Sequence, residues 1–324
     1  MKTYRAFVLG GGGARGAMQV GALRALLEAG IKPDLLVGTS IGAINATGLA
    51  LWGVNLEGVE ALERAYQRMA DSQLMDPHLF QFAWNAVSRR PNHLGSCNAR
   101  KFLIAEGVTP DFRFNQINNV CLATVAADLH TGEPIIYGWD AEQSVMEGVM
   151  ASFAIPPWFA PIEKDGQYII DGGALSNLPI ESAIMLGATE IIALDLHDPD
   201  PHADTNKKID PLLMNLASAV TQRQRSLEME LASARRIPVQ YVSLRSTPPV
   251  PIWDFKTHRD LFKIGYDTMK NEMSRWPQNH PPIATRLARA ISQSGARVRD
   301  FLGSPVLVGN EERMSESKTE VNHV

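Results

Sequence analysis

Gly11-Gly12-Gly13-Ala14-Arg15-Gly16 and Gly38-Thr39-Ser40-Ile41-Gly42 decide how this chain folds. Each follows an apolar run of strand character, Tyr4 to Leu9 in the first case and Leu35 to Val37 in the second. Each also precedes helical spacing: Val20, Leu23 and Leu27 form one stripe between Ala17 and Glu28, and Ile41 to Leu51 resumes the same period. Gly30 is placed to end the first of these helices. Strand, helix, strand, helix in that order implies parallel strands joined by right-handed crossovers. The glycines flanking Ser40 let a strand turn sharply into a helix, so that the serine hydroxyl projects from a strained elbow.

Outward from this opening, further strands are expected at Val120 to Val125, Ile135 to Tyr137, Tyr168 to Ile170, Ile191 to Leu196 and Val239 to Leu244. Helices at Glu57 to Ala70, Ala141 to Ser152, Ile180 to Leu186 and Leu212 to Ala234 fill the intervals. Such alternation predicts a three-layer α/β/α fold around a mostly parallel sheet. Residues 1–302 read as one domain. Within it, 73–94 departs from the alternation: Phe80, Phe82 and Trp84 stand among turn residues, either as a cap over an apolar acyl pocket or as ordinary helix packing. Ile283 to Leu302 sets Leu287, Ile291, Val298 and Leu302 against Arg286, Arg289, Arg297 and Arg299, a pattern that suits a membrane surface or a solvated helix over a core. Residues 303–324 read as a disordered tail, polar and nearly free of apolar residues from Gly309 to Val324.

Hydrolysis by a serine needs the nucleophile, a base and donors for the developing oxyanion. Ser40 supplies the first, and the helix that starts at Ile41 aims its positive end at the same place. Gly11, Gly12 and Gly13 offer clustered backbone N–H donors for an oxyanion. Gly11-x-Gly13-x-x-Gly16 also fits a dinucleotide fingerprint formally, but that reading needs an acid at the end of the second strand, where Val37-Gly38-Thr39-Ser40 stands instead. The eight histidines fall in no relation to Ser40. Asp171-Gly172-Gly173, at the end of Tyr168 to Ile170, is the better source of a base, its other reading being a polar turn cap.

These three motifs, in this order, resemble the patatin-like phospholipases, and Ala151 to Pro156 resembles the small-residue and proline segment of that family. The resemblance covers Tyr4 to Leu196, and Phe262 to Tyr266 is compatible with the family's carboxy-terminal helix. It implies a patatin-like fold and a Ser40–Asp171 dyad without histidine. It also implies an oxyanion hole on the Gly11 to Gly13 backbone, with Arg15 and Gly16 supporting the loop, and hydrolysis of phospholipid or lysophospholipid esters. An acyltransferase or thioesterase would use the same serine. No metal or cofactor is implied, and His197 and His202, near Asp195, Asp198 and Asp200, read as a polar loop rather than as metal ligands.

Composition narrows the remaining classes. The 324 residues, 45% hydrophobic, are enough to bury a full core. A net charge of −4 gives no general field for nucleic acid, so membrane contact would be local. Two cysteines, Cys97 and Cys121, make no disulfide framework. Asn45-Ala46-Thr47 matches a glycosylation acceptor but falls in a predicted helix, which makes it a chance match. With neither a signal-peptide pattern nor an apolar run of membrane-spanning length, a cytoplasmic location is expected. The sequence leaves the oligomeric state open.

Overall fold

β1 (Arg5–Leu9), β2 (Leu35–Thr39), β3 (Cys121–Asp128) and β7 (Glu190–Asp195) are buried almost without interruption in the computed structural model. Continuous burial, rather than alternation, marks strands covered on both faces. Residues 3–72, 93–156, 159–196 and 209–276 are described. The chain divides into Met1–Arg275 and Trp276–Val324, and all the elements below belong to the first unit.

The sheet has eight strands in the order β5-β6-β3-β2-β1-β7-β8, with β5 (Ile162–Lys164), β6 (Gln167–Asp171) and β8 (Val239–Ser243); β4 (Pro134–Tyr137) also pairs with β3. β3, β2, β1, β7 and β8 run parallel, while β4 and β6 are antiparallel to β3 and β5 is antiparallel to β6. Helices α1 (Ala17–Glu28), α2 (Ile41–Trp52), α3 (Leu56–Ser72), α4 (His93–Ala105), α5 (Val145–Ser152), α6 (Ile180–Met185), α7 (Ile209–Ala234) and α8 (His258–Arg275) connect and flank the strands. On one face, Ala6, Val8, Leu35, Val37, Ile191 and Ala193 pack with Leu178 and Ile180 of the α6 region. Phe7, Leu9 and Leu36, pointing the other way, are also fully buried.

The three-layer architecture and most of the expected elements are present. α1 begins and ends where its stripe does, and β3 runs three residues further than its apolar core suggests. α4 and β5 are additions, and α8 contains Phe262 to Tyr266, where the resemblance allowed a carboxy-terminal helix. α8 lies so close to α1 that a Cβ on Gly21 would sit 1.9 Å from the Phe262 carbonyl oxygen, and one on Gly265 would sit 1.9 Å from that of Met18. No helix among the described residues is long and apolar enough to cross a membrane. Among those residues, too, no cluster of three or more His, Cys, Asp or Glu side chains could hold a metal ion. Phe80, Phe82, Trp84, His197, His202, the basic 283–302 segment and the 303–324 tail lie outside the described residues; of the expected 73–94 excursion, only its last two positions are described, as the start of α4.

Candidate active site

The register of β3 brings the two ends of the site together. β2 occupies one edge of β3 as far as Thr39, opposite Val125, while β4 pairs with Thr124 to Ala127 on the other edge. β6 pairs with Ala126 to Asp128, so it must lie on the β2 edge, just beyond the end of β2. Asp171, opposite Ala126, therefore arrives head-on beside Thr39 and Ser40. The fit is tight: a Cβ on Gly172 would meet the Val125 carbonyl oxygen at 2.2 Å and the Thr39 methyl at 3.1 Å.

Ser40 adopts φ 56° and ψ −124°, the strained elbow expected of it. A non-glycine residue held there costs about 1–3 kcal/mol, which the surroundings must offset. They do so through Ser152, whose carbonyl oxygen and Oγ accept the Ser40 N–H at 3.1 and 3.0 Å, while its own hydroxyl donates to the Val125 carbonyl at 2.6 Å. Glycine is required on both sides: a Cβ on Gly38 would lie 2.3 Å from the Gly42 carbonyl oxygen, and one on Gly42 2.1 Å from that of Leu9. Ser152 ends α5, and two residues later the Ala154 carbonyl accepts the Asp171 N–H at 3.0 Å. One short strap thus holds the backbone of both Ser40 and Asp171.

Asp171 is buried, and burial pushes its carboxyl up to about 6, while the Ser40 hydroxyl and the Gly173 N–H pull it back down. Oδ1 accepts from the Gly173 N–H at 2.7 Å. Oδ2 is buried and has no hydrogen-bond partner among the described residues, which leaves its lone pairs unused. Loose contacts of this kind are common in active sites before substrate tightens them.

The glycine loop lies against the elbow. Gly11 comes so near that a Cβ on it would be 3.0 Å from that of Ser40. Its N–H donates to the Asn177 carbonyl at 3.0 Å, and the residue lets the loop come close to Ser40. The N–H groups of Gly12 and Gly13 have no partner among the described residues. Arg15 Nε donates to the Gly12 carbonyl at 3.3 Å, and the Ala14 N–H donates to that of Ile252 at 2.7 Å. A buried amide network fixes the loop's ends. Gln19 Nε2 donates to the Gly10 carbonyl at 2.8 Å, Asn45 Nδ2 donates to that of Gly16 at 3.0 Å and to Gln19 Oε1 at 2.9 Å, and Tyr66 donates to Asn45 Oδ1 at 3.1 Å.

Sequence reasoning missed Gln19, Asn45, Ser152 and Asn177 as site supports. Gln19 and Asn45 did carry a signal, since each is a polar residue flanked by apolar and glycine residues in its helix. An apolar cavity of about 140 Å³ opens beside the strap, lined by Met150, Phe153, Phe159 and Ile162 among others.

The patatin-like phospholipase family model matches residues 7–184, more than half of the chain and the whole span from β1 to α6. The chain belongs to the patatin-like phospholipase family. It is 31% identical over 205 residues to patatin-like phospholipase domain-containing protein 7 of Rattus norvegicus, a match covering 62% of this chain and 14% of that protein. It is also 31% identical over 195 residues to lysophospholipase nte1 of Aspergillus terreus, covering 60% of this chain and 12% of that one. The chain thus spans a small part of the length of these relatives. Among solved structures, VipD from Legionella pneumophila aligns with a TM-score of 0.45 and 15% identity, over 84% of this chain and 67% of that one.

Proposed function

We propose that this patatin-like protein hydrolyses carboxylic esters of phospholipids or lysophospholipids, with Ser40 as nucleophile and Asp171 as base. The observation that carries this reading is the head-on meeting of β2 and β6 on one edge of β3, which sets a strained serine beside a buried carboxylate with a free oxygen. The printed names of the relatives, phospholipase and lysophospholipase, support the substrate class.

Asp171 Oδ2 takes the Ser40 proton as Oγ attacks the ester carbonyl carbon. The carbonyl oxygen becomes an oxyanion that the Gly12 and Gly13 N–H groups receive, each such donor lowering the barrier by about 3 kcal/mol. Collapse of the tetrahedral species expels the alcohol, which leaves with the proton from Asp171, and the acyl group stays on Ser40. Asp171 then takes a proton from water, hydroxide adds to the acyl carbon, and Ser40 leaves as its oxygen regains the proton. A carboxylate near its ordinary pKa of about 3.9 is a poor base, and burial moves Asp171 towards the working pH. The apolar cavity beside Phe153 suits the hydrocarbon chain of such an ester.

Hydrolysis of an acyl-chain series by wild type, Ser40→Ala and Asp171→Asn tests the reading. Wild type should cleave esters and both folded variants should lose at least about a hundredfold in kcat/KM. An inert wild type, or an Asp171→Asn enzyme of undiminished rate, would remove the dyad.

A further inference from the structure

Asn177 is a side chain placed against both the glycine loop and the Gly173 turn that holds Asp171. Its Nδ2 donates to the Gly11 carbonyl at 3.4 Å, and its backbone oxygen accepts the Gly11 N–H, so Gly11 is gripped from both sides of its peptide unit. Its Oδ1 fills the space that two glycines leave open, 2.6 Å from where a Cβ on Gly11 would sit and 2.9 Å from where one on Gly173 would sit. Gly11 abuts Ser40 and leads into the Gly12 and Gly13 N–H groups, which have no partner among the described residues; Gly173 holds Asp171 Oδ1.

The loop that carries Asn177 is itself held on both sides. The Ser176 hydroxyl donates to Glu228 Oε1 at 2.6 Å, and its carbonyl accepts from Thr39 Oγ1 at 2.9 Å. Gln224 Nε2 donates to the Ala174 carbonyl at 2.7 Å. A side chain carried on so well anchored a loop can act as a spacer.

We infer that Asn177 is a positioning residue that sets the separation between the oxyanion donors of the glycine loop and the Asp171 carboxylate. The inference rests on the Ser40–Asp171 reading. A small carboxamide suits the place because it bonds to the Gly11 peptide without adding charge. The isosteric carboxylate would keep the shape, lose the donor to Gly11 and put a second negative charge beside Asp171, raising its pKa. Since the backbone bond from Gly11 to Asn177 survives any substitution, side-chain variants probe the carboxamide alone.

The experiment compares full-length wild type, Asn177→Ala, Asn177→Asp and Ser40→Ala on p-nitrophenyl butyrate, together with phosphonylation of Ser40 by a p-nitrophenyl alkylphosphonate and thermal melts. Misplacement of donors and base by a fraction of an ångström should lower kcat of Asn177→Ala by about 10- to 100-fold with KM little changed. Phosphonylation should slow in step, because it builds charge in the same place. In Asn177→Asp the acid limb of kcat/KM should move up by about one pH unit. If both Asn177 variants melt like wild type and keep its kcat and acid limb, the inference is overturned; full recovery of rate and acid limb in Asn177→Asp alone also overturns it, leaving Asn177 a packing residue. Should Asn177→Ala fail to fold, Asn177→Asp still decides through its acid limb. An active Ser40→Ala enzyme would instead strike the underlying dyad, whatever Asn177 does.

Discussion

At the scale of single residues, Asp171 joins activity to instability. With its carboxyl raised to about 6 by burial, Asp171 is ionised only above that pH, so under the proposed mechanism kcat/KM should climb through pH 6 and level off beyond it. The stability consequence has the opposite sign. Between its unfolded pKa and about 6, the folded protein binds more protons at this site than the unfolded chain does, so stability falls as pH rises through that window. A carboxyl raised that far costs the fold about 3 kcal/mol once it is fully ionised. Asp171→Asn should therefore be inactive yet melt several degrees above wild type at pH 8, with the gap narrowing towards pH 4; a variant that melts lower at pH 8 would show that the Asp171 charge is not strained. Ser40 and Asp171 were legible because their glycines are steric requirements that leave a fixed mark in sequence. Asn177 and Ser152 were not, since an asparagine in a loop and a serine at a helix end carry no mark until the register of β3 shows what they face.

At the scale of elements, α7 is tied to the site by a carboxylate. Glu228 is buried among the Ser176 hydroxyl and the Glu181 N–H, which donates to its Oε2 at 3.0 Å, and burial raises its carboxyl to about 7 despite those donors. Nearby, Asp195 accepts from Arg225 at 2.7 Å and from the Tyr241 hydroxyl at 2.6 Å, joining α7 to the ends of β7 and β8. Glu228 follows Asp171 in sign: a carboxyl raised in the folded state loses stability as pH rises from its unfolded value, near 4.5, to about 7. Glu228→Gln mimics the protonated form, able to accept the Glu181 N–H and donate to Ser176. It should flatten the fall in Tm between pH 5 and 7 and raise Tm at pH 8; melts across that range check it, and an unchanged slope would place the titration elsewhere. The strands of the parallel core were readable because burial on both faces makes them continuously apolar. β5 could not be read in that way, being three residues long with two of them exposed. α8 was legible only at Phe262 to Tyr266 and only through the family resemblance, since it buries only Leu261, Gly265 and Met269 beyond its first residue, on a narrow stripe, and a glycine in a helical pattern looks like a breaker until the close approach to α1 explains it.

At the scale of the whole molecule, the family match ends at residue 184, yet the site depends on chain well beyond it. The Ile252 carbonyl accepts the Ala14 N–H at 2.7 Å, and a Cβ on Gly13 would sit 2.2 Å from that same oxygen, so the segment before α8 closes over the glycine loop. α8 then packs on α1, the helix that the loop initiates, through the reciprocal contacts at Gly21 and Gly265. The expected domain reached residue 302, whereas the compact unit ends at Arg275, the last residue of α8. A chain ending at residue 276 keeps every contact named for the site, so it should fold cooperatively and retain p-nitrophenyl butyrate hydrolysis within about threefold of the full chain. A chain ending at residue 247 loses Ile252 and α8, uncovers the apolar face of α1 and frees Ala14. It should lose activity and give a broadened melt, because exposing a packed helix face removes several buried side chains at about 1.5–3 kcal/mol each. Activity measured beside the melts of both chains separates the cases: a silent 1–276 chain would mean that the carboxy-terminal segment takes part in the site, and an active 1–247 chain would mean that the glycine loop holds its shape without the strap at Ile252.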